Sequence, residues 1–123
     1  MTSLFARMAE LHDAGRRFAL ATLVRTDGST PQVVGAKLVV VEHDARGKAA
    51  GTLGGGCVEA DAIDAAREVL ATGGHSLRAY ELTEDLAWNT GLVCGGTMWI
   101  LAERGEDALS AGGRPMMGDL VRA

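Results

Sequence analysis

The chain has 123 residues, of which 47% are hydrophobic and 23% are charged, and this composition suits one globular domain with a hydrophobic core. A formal net charge of −4 does not indicate a protein that binds nucleic acid or a membrane surface, and no apolar run approaches the roughly 18 residues of a membrane span. Two widely separated cysteines make no disulfide framework, and the N-terminus lacks the layout of a signal peptide. We therefore expect a cytoplasmic protein that binds neither nucleic acid nor a membrane.

The N-terminal part of the chain predicts one helix and three strands. Ser3 can cap a first helix, whose apolar residues recur at helical spacing until Gly15. The next strand is apolar on both faces, which is the pattern of a central strand covered on both sides. The second and third strands are separated by a polar turn and are predicted to pair as a hairpin. These three strands are predicted at residues 17–25, 36–42 and 49–53.

Three consecutive glycines separate the third strand from the clearest helix of the chain. The apolar stripe of this helix begins at Val58 and continues to Leu70, and two further glycines end the helix at Gly73. Two more strands follow, with a brief helical turn between them, and no periodicity is visible after them. The strands are predicted at residues 76–83 and 97–103, and the helical turn at residues 84–88.

Five strands and two main helices in this order indicate a single domain of the α/β or α+β class, built around a mixed sheet. We assign this domain to residues 1–103. Because glycine, proline and charged residues replace the periodic pattern after that point, residues 104–123 are interpreted as a tail or a linker remnant.

Cys57 is the candidate catalytic residue, because it stands where the glycines meet the helix. The helix dipole would favour its thiolate, although cysteine is also among the residue types most often buried for packing alone. Glu59 lies one turn from the glycines and inside the apolar sector of the helix. It could simply accept hydrogen bonds from first-turn N–H groups, or it could orient a ligand or accept a proton.

Three glycine-bearing loops each lie at the end of a predicted strand, and each could be an ordinary turn. If they converge, they form one pocket lined largely by backbone N–H groups, which suits an anionic ligand. Arg25 and Lys37 flank the first loop and would be the local cations. The two cysteines and three histidines lack the spacing of a zinc site, so no protein-held metal is expected.

Three blocks of the sequence together resemble the signature blocks of the XdhC/CoxI family, the accessory proteins of molybdenum hydroxylases of the xanthine dehydrogenase and carbon monoxide dehydrogenase type. The resemblance covers roughly residues 14–103, and its middle block is the most specific. The blocks run from Gly28 to Ala36, from Gly51 to Glu59 and from Gly91 to Gly96.

The resemblance implies a non-catalytic accessory protein that binds the molybdenum cofactor, as molybdopterin or its cytosine dinucleotide form. Such a protein would assist sulfuration of the cofactor and its insertion into the apo-enzyme of a molybdenum hydroxylase. The resemblance also implies a cysteine desulfurase as a partner and a homodimeric state. Cys57 is then the preferred residue near sulfur or molybdenum, with Cys94 second. The cofactor-binding residues expected on this basis are Gly28, Ser29, Thr30, Lys37, Gly54, Gly55, Gly56, Cys57, Glu59, Cys94, Gly95 and Gly96.

Typical members of the family carry a second, Rossmann-like domain after this one, whereas this chain stops at Ala123. A separate Rossmann-like protein is therefore a further expected partner. Two alternative functions stay open at this point. The chain could be a structural subunit that needs that partner, or it could be a sulfurtransferase that carries a persulfide on Cys57.

Overall fold

The computed structural model describes residues 3–28, 30, 32–44, 47–82 and 96–112, and within these residues the fold has three helices and five strands. The five predicted strands and both main predicted helices are confirmed, with bounds that differ by a few residues at most. In chain order the elements are α1 (Leu4–Asp13), β1 (Phe18–Asp27), β2 (Lys37–Val41), β3 (Lys48–Gly51), α2 (Gly56–Thr72), β4 (His75–Glu81), β5 (Thr97–Arg104) and α3 (Gly105–Gly112).

The five strands form one sheet in the order β3-β2-β1-β5-β4. The predicted α/β or α+β class and the β2–β3 hairpin are confirmed. Every pairing in the sheet is antiparallel, so the expected mixture of parallel and antiparallel pairs is corrected. The reason is the path of α2, which carries the chain from one edge of the sheet to the other. Since β3 and β4 run in the same direction but lie at opposite edges, they never pair.

Each face of the sheet is covered by different helices. Helix α2 packs on one face, where its stripe of small and aliphatic side chains meets alternate residues of β1, β2 and β5. Helices α1 and α3 pack on part of the other face. Six consecutive residues at the start of β1 are buried, which confirms the prediction of a central strand covered on both sides.

The helix boundaries follow from local chemistry. The Ser3 hydroxyl accepts a hydrogen bond from the Ala6 N–H (3.1 Å) and caps α1, as predicted. Gly73 ends α2 with a positive φ of 81°, and its N–H donates to the Val69 carbonyl. In the part of the chain that the structure describes, no helix has the length and apolar character needed to cross a membrane.

The segment predicted as a tail begins as ordered secondary structure. Arg104 is the last residue of β5, and α3 starts at the next residue. Ala108 is fully buried against the sheet, and the Arg104 guanidinium pairs with Asp107 (2.9 Å). Two turns of helix present too few apolar positions to make a visible periodic pattern, so the sequence does not reveal this helix. The predicted helical turn at residues 84–88 lies outside the described residues.

Candidate functional site

The glycine-bearing loops lie at one end of the sheet. Strands β1 and β3 end there and β2 and β5 begin there, because neighbouring strands are antiparallel. Gly28 directly follows β1, the three consecutive glycines follow β3, and Gly96 directly precedes β5. The topology thus brings parts of all three sequence blocks to the same end of the molecule. Of the predicted site residues, Ser29, Cys94 and Gly95 lie outside the described residues.

Glu59 organises the loop that joins β3 to α2. Its Oε1 atom accepts hydrogen bonds from the Leu53 N–H (2.8 Å), the Gly55 N–H (3.3 Å) and the Thr52 hydroxyl (2.9 Å). The Gly54 N–H in turn donates to the Thr52 hydroxyl oxygen (3.1 Å). The N–H groups of Leu53, Gly54 and Gly55 therefore donate within the loop. Fewer loop N–H groups are free to bind a ligand than the sequence predicted.

A lysine that sequence reasoning missed completes this network. Lys48, the first residue of β3, places its Nζ 2.9 Å from Glu59 Oε2. Lys48 lies opposite Val40 in the hairpin, and this register brings the lysine under α2. The hairpin itself was predicted, so its pairing register was the one signal that could have identified Lys48.

The carboxylate of Glu59 is stabilised in its charged form although the residue is only 8% exposed. Burial alone would raise its pKa, but the Leu53 N–H, the Lys48 ammonium and the Thr52 hydroxyl together hold the pKa of Glu59 below its ordinary value. Of the two roles predicted for Glu59, accepting hydrogen bonds from backbone N–H groups describes its contacts best. It accepts backbone N–H groups, although these belong to the loop before the helix and not to the first turn.

The N-terminus of α2 is left without a side-chain cap. Gly55 is the N-cap residue, and its φ of 77° and ψ of −172° fall in a region that essentially only glycine occupies. A Cβ added to Gly55 would meet nothing within 4 Å, so the space beside the loop is open there. The N–H groups of the first turn, from Gly56 to Val58, point out of the helix end and carry its partial positive charge.

Cys57 is the second residue of α2 and is therefore part of this uncapped turn. Its thiol is free and half-buried, so it reaches the surface beside the first-turn N–H groups. A thiol in the first turn of a helix lies close to N–H groups of the kind that bind anions, and its sulfur is a soft ligand.

The predicted cations Lys37 and Arg25 lie on the other face of the sheet. Lys37 alternates with Leu38, which packs under α2, so the lysine side chain points away from α2 and from Cys57. It is 7% exposed and donates to the Gly35 carbonyl (3.0 Å), and burial lowers its pKa. The Arg25 guanidinium stacks over the Trp99 ring, with 4.6 Å between Cζ and the ring centroid. Strand alternation decides the placement of Lys37, whereas the β-bulge between Leu23 and Arg25 turns Arg25 to the face of Trp99.

Two predicted residues of the first loop have ordinary conformational roles in the structure. Gly28 is exposed and has a φ of 75° where the chain leaves β1. The Thr30 hydroxyl donates to the Gln32 carbonyl (2.8 Å), so it shapes its own loop. Among the described residues, no group of three or more His, Cys, Asp or Glu side chains is arranged to hold a metal ion.

A cavity of about 630 Å³ lies at the opposite end of the sheet, between the β2–β3 turn and the end of α2. Its rim is an internally bonded network, in which the Arg17 guanidinium pairs with Glu42 (2.6 Å) and also donates to the Leu70 carbonyl (3.1 Å). The Arg67 side chain donates to the Asp44 carbonyl (3.3 Å) on the same rim. This cavity therefore lies apart from the glycine loops and from Cys57.

Known proteins resemble this chain in both sequence and structure. The sequence profile of the XdhC and CoxI family matches residues 11–81. A curated relative from Bacillus subtilis (strain 168), named as a probable xanthine dehydrogenase subunit, is 34% identical over 90 residues, which is 69% of this chain and 26% of the relative. A crystal structure of a xanthine dehydrogenase from Bacillus halodurans superposes with a TM-score of 0.67 at 26% identity, covering 94% of this chain and 32% of the other.

The chain thus spans about a quarter of the length of its curated relative and a third of the solved structure. The matched region contains β1, the glycine loop, Cys57, Glu59 and all of α2. Because the profile covers more than half of the chain and includes the loop that Glu59 organises, the protein belongs to the XdhC and CoxI family.

Proposed function

We propose that this chain is an accessory protein of a xanthine dehydrogenase-type molybdenum hydroxylase, and that it binds the molybdenum cofactor during sulfuration and insertion of the cofactor. The family membership supports the association with xanthine dehydrogenase. The observation that carries the finer proposal is the uncapped N-terminus of α2, with the half-buried thiol of Cys57 in its first turn. The cofactor is taken in the molybdopterin form or its cytosine dinucleotide form.

The chemistry of this helix end fits the cofactor. The phosphate would be held by the first-turn N–H groups of α2, where the helix dipole favours negative charge. Molybdenum and the dithiolene are soft, so a thiolate is the side chain best suited to lie beside them. When bound, the cofactor supplies the molybdenum centre that the hydroxylase uses, and the chain holds and orients it. Glu59 positions the loop, and the absence of a side chain at Gly55 leaves room for the ligand.

The remaining predicted site residues belong to this proposal as a second group. Gly28 and Thr30 are assigned to the same end of the sheet by the topology, as is Gly96. We include Ser29, Cys94 and Gly95 on the basis of the sequence resemblance. The proposal also includes a cytoplasmic location, a cysteine desulfurase as the sulfur donor and a separate Rossmann-like protein as a partner.

Anaerobic purification tests the proposal. We expect the wild-type protein to copurify with, or to acquire, about one equivalent of pterin and molybdenum, measured by pterin fluorescence and by metal analysis. Cys57→Ala should weaken molybdenum retention by about 10-fold, because it removes the soft ligand beside the anion site. Thr72→Ala, at the other end of α2, is the matched control and should retain both. Wild-type protein that binds neither pterin nor molybdenum would contradict the proposal.

A sulfurtransferase is the second candidate, because the Cys57 thiol is free and partly accessible. In that reaction the Cys57 thiolate attacks the terminal sulfur of a desulfurase persulfide, and the desulfurase thiolate leaves. Intact mass after incubation with a desulfurase and cysteine would then show an added sulfur of ~32 Da that is absent in Cys57→Ala.

If Cys57→Ala and Cys94→Ala both support full maturation of the hydroxylase, the chain instead has a purely structural role.

A further inference from the structure

The two edges of the sheet are built very differently. The edge strand β3 has four residues and begins with a lysine, and its pairing with β2 shifts register between Val39 and Val40. Short strands, irregular pairing and lysines are the usual features that prevent edge-to-edge pairing. The edge strand β4 has seven residues, pairs with β5 without any register shift, and contains neither proline nor lysine. In the part of the chain that the structure describes, β4 pairs with β5 alone, so its second edge is unprotected.

One face of β4 is also left uncovered by the three helices that the structure describes. Alternate residues from His75 to Glu81 lie on the face opposite α2 and are exposed. Among them Leu77 is 59% exposed, which is unusual for a large aliphatic side chain. Leu77 pairs with Leu101, and Ala79 with the half-buried Trp99, so the exposed apolar surface continues onto β5.

The backbone of β4 presents hydrogen-bonding groups to solvent at defined positions. The Leu82 N–H donates to the Gly96 carbonyl (2.8 Å), and this pair continues the register in which Glu81 opposes Thr97. Because residues of an antiparallel ladder alternate in direction, the even-numbered residues of β4 bond to β5. The N–H and C=O groups of the odd-numbered residues therefore point to the open edge. These residues are His75, Leu77, Ala79 and Glu81.

We propose that β4 is a dimerisation strand, which pairs antiparallel with β4 of a second copy of this chain to form one continuous sheet from the strands of both copies. A twofold axis at Arg78 aligns all seven residues of the two strands. It sets the outward-pointing N–H and C=O groups of the two copies opposite each other. At both ends of the pair, His75 of one copy lies opposite Glu81 of the second copy. The same axis pairs Leu77 with Ala79. Shifting the axis by one residue in either direction keeps the outward groups opposed but loses part of the overlap and the charge pairing. The strand is thus complementary to itself in hydrogen bonding, in apolar surface and in charge.

Arg78 lies on the axis and would face its own copy, but its charge is already compensated within each chain. Its guanidinium bonds to Asp61 (3.1 Å) and to Glu68 (3.2 Å), both on α2. Each copy therefore has two carboxylates beside its Arg78, and these carboxylates can pair with the guanidinium of either copy. The like-charge contact at the centre therefore does not oppose pairing.

Ala79→Pro tests the proposal at the backbone. Proline removes the outward N–H and adds a ring at the open edge, while the hydrogen bonds from β4 to β5 are retained. In sedimentation equilibrium we expect a wild-type dimer and a dissociation constant at least about 10-fold higher for Ala79→Pro. Ala79→Thr keeps the N–H and is the matched control, which should dimerise as the wild type does. An unchanged melting temperature for Ala79→Pro confirms that the fold is intact.

Charge exchange tests the register independently of the proline variant. His75→Glu places two carboxylates opposite each other at both ends of its own homodimer, and Glu81→Arg removes the carboxylate that faces His75 at both ends. In a mixture of the two variants, one end of the heterodimer joins the introduced arginine to the introduced glutamate and the other end keeps His75 opposite Glu81. Heterodimers should therefore exceed the statistical fraction by about 3-fold in native mass spectrometry. The proposal is overturned if wild type is monomeric at about 100 μM, if both sets of variants leave the dimer unchanged, or if β4 instead pairs with a strand of a different protein.

Discussion

Two glutamates are buried among the residues that the structure describes, and their surroundings shift their pKa values in opposite directions. Glu59 is surrounded by three donors and a lysine, so its charged form is favoured. Glu103, 6% exposed on the other face of the sheet, has an Oε2 atom without any hydrogen-bond partner. Burial and the nearby Asp107 raise the pKa of Glu103, against the weaker attraction of His75 and Lys37. The same residue type therefore stabilises the fold at one position and costs stability at the other.

Replacing Glu59 tests the stabilising case. Because its pKa is lower in the folded chain, Glu59 stabilises the fold above its ordinary pKa of 4.5, and this stabilisation is lost as the pH falls below 4.5 toward the folded value. Glu59→Gln should lower the free energy of unfolding at pH 7 by about 1–3 kcal/mol, since a neutral amide loses the Lys48 ion pair and weakens the loop contacts. Glu68→Gln, an exposed glutamate of the same helix, is the control. Chemical denaturation between pH 3 and pH 8 measures both, and equal effects of the two variants would contradict the prediction.

Replacing Glu103 tests the opposite case. A raised folded pKa means that the charged carboxylate costs stability above that value, and the cost disappears as the pH falls toward 4.5. Glu103→Gln should therefore raise the free energy of unfolding at pH 7 by about 1 kcal/mol, with a smaller gain at pH 5. Glu81→Gln on the exposed face of β4 should change stability by less than about 0.5 kcal/mol. A loss of stability in Glu103→Gln would mean that its attraction to Lys37 outweighs the cost of burial.

At the scale of elements, the position of α3 depends on one tight contact. Helix α3 packs beside α1 on the face of the sheet opposite α2, and Phe18 lies in the same cluster as Ala108. Gly105 begins α3 directly against the Phe18 ring, and a Cβ added there would overlap the ring carbons. The start of α3 can therefore take this position only while residue 105 has no side chain.

Gly105→Ala should destabilise the domain by about 1–3 kcal/mol, because Phe18 is 3% exposed and has little room to move. Thermal unfolding measures the loss. The double variant with Phe18→Leu relieves the clash, so the two substitutions should not be additive and the double variant should lose less than the sum. Additive losses would show that α3 is not seated on Phe18.

At the scale of the whole molecule, the two proposed interaction sites are separate. The glycine loops and Cys57 lie at one end of the sheet, and the loop that Glu59 organises follows β3 at one edge. The proposed dimerisation strand β4 is the opposite edge, with β2, β1 and β5 between them. Cofactor binding and dimerisation should therefore be independent of each other.

We expect the Ala79→Pro variant to bind pterin and molybdenum with the same stoichiometry per chain as the wild type, because its substitution lies outside the β3–α2 loop. Metal analysis and pterin fluorescence on the separated monomer fraction measure this. A monomer that folds normally but no longer binds would show that the site draws residues from both copies.

Much of the fold could be predicted because it depends on short-range patterns. The buried stripe of α2, the apolar run of β1 and the glycine at each end of α2 are local features, and the structure confirms all of them. Helix α3 could not be predicted, because its position depends on a contact between Gly105 and Phe18, which are far apart in the chain. The purely antiparallel sheet was missed because strand order depends on where α2 crosses.

The candidate site divides in the same way. The sequence by itself determined that glycines, Cys57 and Glu59 stand together at the start of a helix, since these residues are neighbours in the chain. Only the tertiary structure decided which cation accompanies them, because strand alternation turns Lys37 to the far face and hairpin register brings Lys48 to Glu59. Likewise, only the folded arrangement showed that Glu59 uses the loop amides and leaves those of the first helical turn uncapped. Contacts between residues distant in sequence are set by packing of the whole sheet, and a local pattern carries no information about them.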